Sequence, residues 1–257
     1  DDCKNWFPHI SPDGKWIAVE GRYEVLVISA ETGKIADNLA LTGLIQGQML
    51  MNTFSGICWL QDGNQLKIYW GAVGGKGVSF AMEAIWNGKK LEPGAPVSFE
   101  TEAPAASSLV NEVLALTENG KSFLYVVLNG TNKVVKVDLA SRQAVWKSEV
   151  GVAPFGITKA NGKIYVTNWA GSVPDKSDTN VAGVPWGSAK VDLRTGATRE
   201  GSVSVLDPAT GKVLKEIVVG LHPNDIIASS DGKYVFVSNA NSDNVSVIST
   251  EKNEVAE

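Results

Sequence analysis

The sequence predicts an all-β protein, a β-propeller of four-stranded antiparallel blades, on three observations. An Asp-Gly or Asn-Gly pair followed by a β-rich run recurs five times along the 257 residues. A second class of turn follows at a similar offset, and no stretch carries a helical period. Alternation of two turn classes in units of about 40 residues is the pattern of blade repeats, and neither a sandwich nor a barrel requires it.

The first class comprises "SPDGKWIAV" (Ser11–Val19), "LQDGNQLKIYW" (Leu60–Trp70), "TENGKSFLYVV" (Thr117–Val127), "KANGKIYVTN" (Lys159–Asn168) and "SSDGKYVFVSN" (Ser229–Asn239). Such pairs supply the positive φ angles of a tight hairpin, so each joins two antiparallel strands. The second class comprises "ISAETGKIAD" (Ile28–Asp37), "VDLASRQAVW" (Val137–Trp146), "LDPATGKVLKEI" (Leu206–Ile217) and "ISTEKNEVAE" (Ile248–Glu257), with "AIWNGKKLEP" (Ala84–Pro93) a looser version. Each unit therefore reads strand, tight turn, strand, loop, strand, second turn, strand. The expected blades are Asn5–Gln46, Thr53–Glu102, Asn111–Gly151, Ala153–Gly220 and Leu221–Glu257, within one propeller domain spanning 1–257. The last unit stops early in its outermost strand. Either Asp1–Asn5 supplies that strand in a five-bladed ring, or these residues are part of a longer chain, and the second is the expectation carried forward.

Composition narrows the partners. A net charge of −5 with no Lys/Arg cluster argues against a nucleic-acid or anionic-membrane partner, since either needs a basic face. No apolar run approaches bilayer length, so no membrane insertion is expected. The chain opens on Asp1 with no signal-peptide core and reads as a processed or excised product. Two cysteines, Cys3 and Cys58, make no disulfide framework. One bridge and two buried thiols both stay open, and the thiols are the plainer reading.

The stretches "GKIYVTNWAG" (Gly162–Gly171) and "DGKYVFVSNANSDNVSVIST" (Asp231–Thr250) resemble the YVTN family of β-propeller repeats. The unit starts at Pro154–Ile157 and Pro223–Ile226 fit the same resemblance. It is strong over units four and five, fair over one and three, and poor over two. Unit four is more specific. Its YVTN strand, its polar insertion containing "VDLRTGA" and its "GSVSVLDPATGKV" resemble the YncE-like propeller found upstream of an alkaline-phosphatase-type phosphoesterase domain in some bacterial proteins. That resemblance implies a periplasmic or extracellular bacterial protein, a seven-bladed ring and a covalently linked downstream phosphoesterase domain. The phosphoesterase metal ligands would lie in that domain, so no residue here inherits the activity.

In an up-and-down blade the two tight-turn classes share one edge, and the second-to-third connections and inter-blade links share the other. The long polar run Trp169–Glu200 is a second-to-third connection, so it projects from the edge away from the tight turns. Long irregular loops on rigid scaffolds commonly carry function or are disordered. That edge is therefore the expected binding face for a protein or small-molecule ligand. Its candidate residues are Trp169, Asp175, Asp178, Trp186, Arg194 and His222. Trp169 and Trp186 offer aromatic faces to a ligand, or pin the loop by packing. Asp175, Asp178 and Asn180 offer oxygens to a hard cation, but the glycine and spacing of an EF-hand are missing, so a solvated loop is the plainer reading.

His222 and His9 both stand near unit starts; without a Cys/His cluster they are read as structural, and no metal is expected. Asn168 and Asn239 recur at a strand end and are read as caps on backbone groups. No nucleophile motif is present. "GAVGGKG" (Gly71–Gly77) lacks the spacing of a phosphate loop and reads as a loose hairpin or second mobile loop on the insertion face. Quinone-cofactor propellers carry a tryptophan just beyond "ATGKV", and none stands here, so no cofactor is expected. The leading expectation is a non-enzymatic exported binding scaffold. Its rivals are the substrate-recognition domain of a larger phosphoesterase and, more weakly, a propeller lactonase with a metal in its channel.

Overall fold

The computed structural model describes residues 6–102, 105–184 and 187–256. Five sheets follow one another along the chain. The first holds β1 (Trp6–Ile10), β2 (Trp16–Glu20), β3 (Glu24–Ser29) and β4 (Ile35–Ala40) in chain order. The second holds β5 (Met51–Asp62), β6 (Gln65–Val73), β7 (Ser79–Trp86) and β8 (Leu91–Pro93), with β9 (Val97–Phe99) also paired to β7. The third holds β10 (Val110–Glu118), β11 (Lys121–Leu128), β12 (Lys133–Asp138) and β13 (Gln143–Glu149). In the fourth, β14 (Pro154–Ala160) and β15 (Lys163–Asn168) are separated in sequence from their partners by an independent hairpin, β16 (Val181–Val184) and β17 (Gly187–Lys190). The sheet resumes with β18 (Gly201–Leu206) and β19 (Val213–Val219). The fifth holds β20 (Pro223–Ala228), β21 (Tyr234–Asn239), β22 (Asn244–Ser249) and β23 (Glu254–Val255). No α-helix occurs among the described residues, and none could cross a membrane.

The turns follow the chemistry of their residues. At Asn119-Gly120 and Asn161-Gly162 both residues have positive φ, as a two-residue hairpin of the mirror-image type requires. The Asp-Gly turns differ, for only their glycines, Gly14, Gly63 and Gly232, enter that region, and the first and last share a further device. At Asp13-Gly14 and Asp231-Gly232 a serine closes the loop instead. Ser11 Oγ donates to Asp13 over 2.6 Å and accepts from the Trp16 amide, and Ser229 repeats this with Asp231 and Tyr234. In the second class, Asp207 Oδ1 accepts from the amides of Ala209 and Thr210 while the Gly211 amide bonds to its carbonyl. Asp138 does the same, with Arg142 at φ 56° in the glycine's place. The two turn classes lie side by side within a sheet. Main-chain bonds join Ala30 to Lys15, Leu139 to Ser122 and Thr250 to Lys233. The shared tight-turn edge expected from the sequence is thus present.

Two compact units divide the chain, and the boundary runs through the third sheet. The first unit has a core rich in tryptophan, where Trp59, Trp70 and Trp86 pack with Ile57, Ile68, Phe80 and Met82. Trp16 meets Trp86 edge-on at 5.0 Å. Cys58 is a buried free thiol, pushed up to about 12 by burial, so it is inert as a nucleophile. Cys3 lies outside the described residues. In the same unit "GAVGGKG" closes a hairpin between β6 and β7. The Gly74 amide bonds to Val78, and Ser107 Oγ donates to the Gly77 carbonyl over 2.7 Å. The second unit places β21 with alternate residues buried, as "KYVFVSN" dictates, and packs Val235, Val237 and Ile248 on Tyr165, Val203 and Val205 of the fourth sheet.

Candidate functional site

The connection between β15 and β18 is folded, which the apparent lack of pattern in its sequence did not suggest. Its β16–β17 hairpin pairs Val181 with Lys190 and Ala182 with Ala189, and Ala189 is buried against Val152, Ala153 and Ala170. A further turn follows. Asp192 Oδ1 accepts from the amides of Arg194 and Thr195, the Gly196 amide bonds to the Asp192 carbonyl, and Val191 bridges to Thr198. This is the same Asp-x-x-Thr-Gly turn as Asp207–Gly211. The signal for it is "VDLRTGA", a turn that stands outside the blade repeat. It carries Leu193 and Arg194 at its tip, and Leu193 is 70% exposed.

Three side chains pin the base of the insertion. Glu200, one residue before β18, accepts from the Ser172 amide at 3.0 Å, from Ser172 Oγ at 2.6 Å and from Lys190 Nζ at 3.3 Å. Lys190 Nζ also donates to Ser172 Oγ at 2.9 Å and stands 3.9 Å from Asp178. Burial raises the Glu200 carboxyl, but the Ser172 hydrogen bonds and the Lys190 charge outweigh it and hold the group below its ordinary value. None of Ser172, Lys190 and Glu200 was singled out from sequence. Their link depends on hairpin register, which polar residues at wide spacing do not announce.

The predicted residues fall into separate places. Trp169 stacks on Phe155 at 4.3 Å and meets His222 edge-on at 4.5 Å, so these two candidates come together. The tryptophan also packs against the Val152, Ala153, Ala170 and Ala189 cluster. It pins the start of the insertion by packing and keeps part of its surface exposed. His222 has φ 55°, and burial lowers its pKa so that the neutral imidazole is favoured. The equivalent link residue before β14, Ala153, shares that backbone conformation. Asp175 and Asp178 close a local turn: the Asp175 amide donates to Asp178 Oδ2, and Asp175 Oδ1 accepts from the Ser177 amide. The hydroxyl of Ser177 holds the Asp175 carboxyl below its ordinary value. Arg194 sits on the exposed turn with Leu193. Trp186 lies outside the described residues. His9 belongs to β1, opposite Ala18.

The repeat asparagines need a correction. They were expected to cap backbone groups, yet their amides serve side chains. Asn168 Nδ2 donates to Ser202 Oγ at 3.1 Å, Ser204 Oγ at 2.9 Å and Glu216 Oε1 at 3.0 Å. Asn239 Nδ2 donates to Asn244 and Ser246. A glycine makes room for each amide. A Cβ on Gly151 would lie 2.5 Å from Asn168, and one on Gly220 would lie 2.6 Å from Asn239. Serine at alternate positions of β18 thus reflects a polar layer inside the blade, not exposure.

No family model matches the chain, and no curated protein matches it in sequence. Solved structures do match in shape. The Dos1 propeller aligns with a TM-score of 0.57 at 13% identity over 98% of this chain, and this chain spans 57% of its length. A protein of unknown function from Bacteroides caccae aligns at 0.58 and 12% identity, covering 98% of this chain and 81% of that one. The Cps50 (Swd1) β-propeller domain of Myceliophteria thermophila aligns at 0.57 and 9% identity, covering 98% and 72%. At such identities the likeness speaks for fold alone, and with the repeated four-stranded sheets it makes the fold a β-propeller.

Proposed function

We propose that the chain is a non-enzymatic, exported β-propeller scaffold, built of YVTN-like repeats, that binds a protein or small-molecule ligand through the connection between β15 and β18. The observation that carries this reading is a paradox of that segment. It is pinned by Glu200, Ser172 and Lys190, yet it ends in an exposed Leu193–Arg194 tip. A segment held in one shape loses little conformational entropy on binding, so an apolar and a cationic group presented this way favour association. Blade packing alone gives no reason for so long an excursion.

The test is affinity capture from an extract of the source bacterium's periplasm and medium. The intact protein and a variant with residues 172–199 replaced by a short turn serve as baits. A partner enriched on the intact protein and lost from the variant supports the reading. Equal recovery on both removes the insertion from consideration. A second reading, the recognition domain of a larger phosphoesterase, is favoured by the resemblance of unit four to YncE-like propellers. Sequencing the gene beyond the codon for Glu257 tests it.

A further inference from the structure

In an antiparallel pair, residues that exchange main-chain bonds alternate with residues whose N–H and C=O point away from the partner strand. The Val191 amide bonds to the Asn180 carbonyl, which makes these two a bonded pair at the base of the β16–β17 hairpin. Along the register, Val181–Lys190 and Gly183–Ser188 are then outward-pointing pairs, with the bonded Ala182–Ala189 between them. Lys190 obeys this alternation, for its carbonyl turns outward and accepts from the Arg199 amide at 3.0 Å. Arg199 thus covers the β17 side. On the β16 side, no main-chain bond from another described residue reaches the outward groups of Val181 or Gly183. An open strand edge is a template for a further strand, and folded proteins guard such edges with charge or proline. Outer strands of the blades carry such guards: Asp37 in β4, Lys147 in β13 and Lys215 in β19. β16 reads Val-Ala-Gly-Val and has none. Gly183 is exposed, and a Cβ placed on it would meet nothing within 4 Å. The hairpin is nevertheless anchored, because Ala189 is buried against Val152, Ala153 and Ala170.

From this geometry we infer that the outer edge of β16 takes an extended peptide segment of a partner protein as an added β-strand. The inference rests on the reading that the excursion binds a partner, and it names that partner's class. Recognition comes from the main chain, since Val181 and Gly183 each offer one donor and one acceptor to an incoming backbone. The incoming segment needs free amides at the bonding positions, so proline there is excluded. A compact small molecule does not reproduce the spacing of alternate residues along a strand.

Peptides selected on the intact protein from a random-peptide display library are the probe. Gly183→Pro removes one outward amide and sets a ring in the path of the incoming strand, while the Ala182–Ala189 bonds stay available. Gly183→Ala keeps the amide. The selected peptides should bind Gly183→Pro about tenfold or more weakly than the intact protein, and Gly183→Ala within about twofold. In the free protein the Val181 and Gly183 amides should exchange quickly and the Ala182 amide slowly, and saturating peptide should slow the first two. Slow Ala182 exchange in Gly183→Pro shows that the hairpin has kept its fold; where it is lost, Val181→Pro serves in its place. Failure to select any peptide that these prolines weaken overturns the inference. Peptides that ignore Gly183→Pro but are lost when residues 172–199 are replaced remove the edge and leave the binding role of the excursion standing. Peptides retained by that replacement remove both. Val181 and Gly183 amides already protected in the free protein, or a dimer that Gly183→Pro dissolves, also overturn it, because the edge is then filled by this chain itself.

Discussion

The fourth and fifth sheets are variants of one repeat, elaborated to different degrees. Both end their second strand in asparagine, place a glycine against it and close their outer turn through a short loop. The fourth adds a carboxylate, Glu216, to its polar layer and inserts a folded excursion, while the fifth has only Asn244 and Ser246 and a short connection. One template therefore tolerates large variation at its open edge, provided the strand cores and the asparagine pocket are kept. Elaboration follows backbone that is already free of sheet pairing.

The comparison breaks most visibly at Tyr165 and Phe236. Tyr165→Ala removes a fully buried aromatic and its Asn253 hydrogen bond, and should cost about 3–5 kcal/mol in denaturant unfolding. Phe236→Ala, at the equivalent but 38% exposed place, should cost about 1–2 kcal/mol, clearly less than the change at Tyr165. Equal losses would show that the face of the fifth sheet bearing Phe236 is covered after all.

The asparagines sharpen it at a smaller scale. Asn168→Ala leaves Glu216 and two buried serines without a shared donor, an expected loss of about 1–3 kcal/mol. Asn239→Ala serves two partners, of which Asn244 is exposed, and should cost about 1 kcal/mol. A larger loss at Asn239 would invert the ranking of the two layers.

The first sheet supplies a third variation. Counted from its Asp-Gly turn, Glu20 stands where the fifth sheet has Ser238, at the end of β2 opposite Val25. In the fourth sheet the matching Thr167 accepts from the Gly156 amide and donates to the Asn224 carbonyl. Glu20 is buried with neither carboxyl oxygen hydrogen-bonded, and burial pushes its pKa well above the ordinary value. A folded-state pKa above the unfolded one favours the neutral form in the native protein. Stability from this group is then full below the unfolded value of about 4.5 and falls as pH rises towards the folded value. Glu20→Met should raise stability at neutral pH by about 1–3 kcal/mol and flatten that dependence in thermal melts. An unchanged pH profile would show that Glu20 is not the group responsible.

Much of this fold was legible because turn chemistry is local. Asn161-Gly162 and Asp207-Ala-Thr-Gly211 fix their own backbone, so reading them in order locates the strands. The asparagine pocket was misread because its partners, Ser202 and Glu216, lie 34 and 48 residues away and meet Asn168 only across three strands. The candidate site was half legible. Trp169 and His222 meet, as residues beside adjacent unit starts can, but the pin through Ser172, Lys190 and Glu200 needs the register of β16 and β17. Isolated polar residues give no periodic signal from which to infer it.

The smallest expected effect bears on that pin and separates local from global order. Glu200→Gln keeps the size of the side chain but removes the charge that Lys190 meets, and weakens both bonds from Ser172. Because the group is still partly solvent-accessible, screening limits the loss to about 1 kcal/mol or less, or about a fivefold rise in amide exchange. That rise should appear from Ser172 to Lys190 and be absent from β15 and β18, whose pairing runs from Ile164–Leu206 to Asn168–Ser202 without this carboxylate. Acid should mimic the substitution. A carboxyl whose folded-state pKa is lowered contributes stability above its unfolded value and loses it as pH falls through the folded one. The insertion should therefore loosen as acid takes the pH below the ordinary range of a glutamate carboxyl, in the direction opposite to the stabilisation that Glu20 gains by protonation. If exchange rises equally in the insertion and in β15, the excursion is not held separately from its blade, and its fixed presentation of Leu193 and Arg194 fails with it.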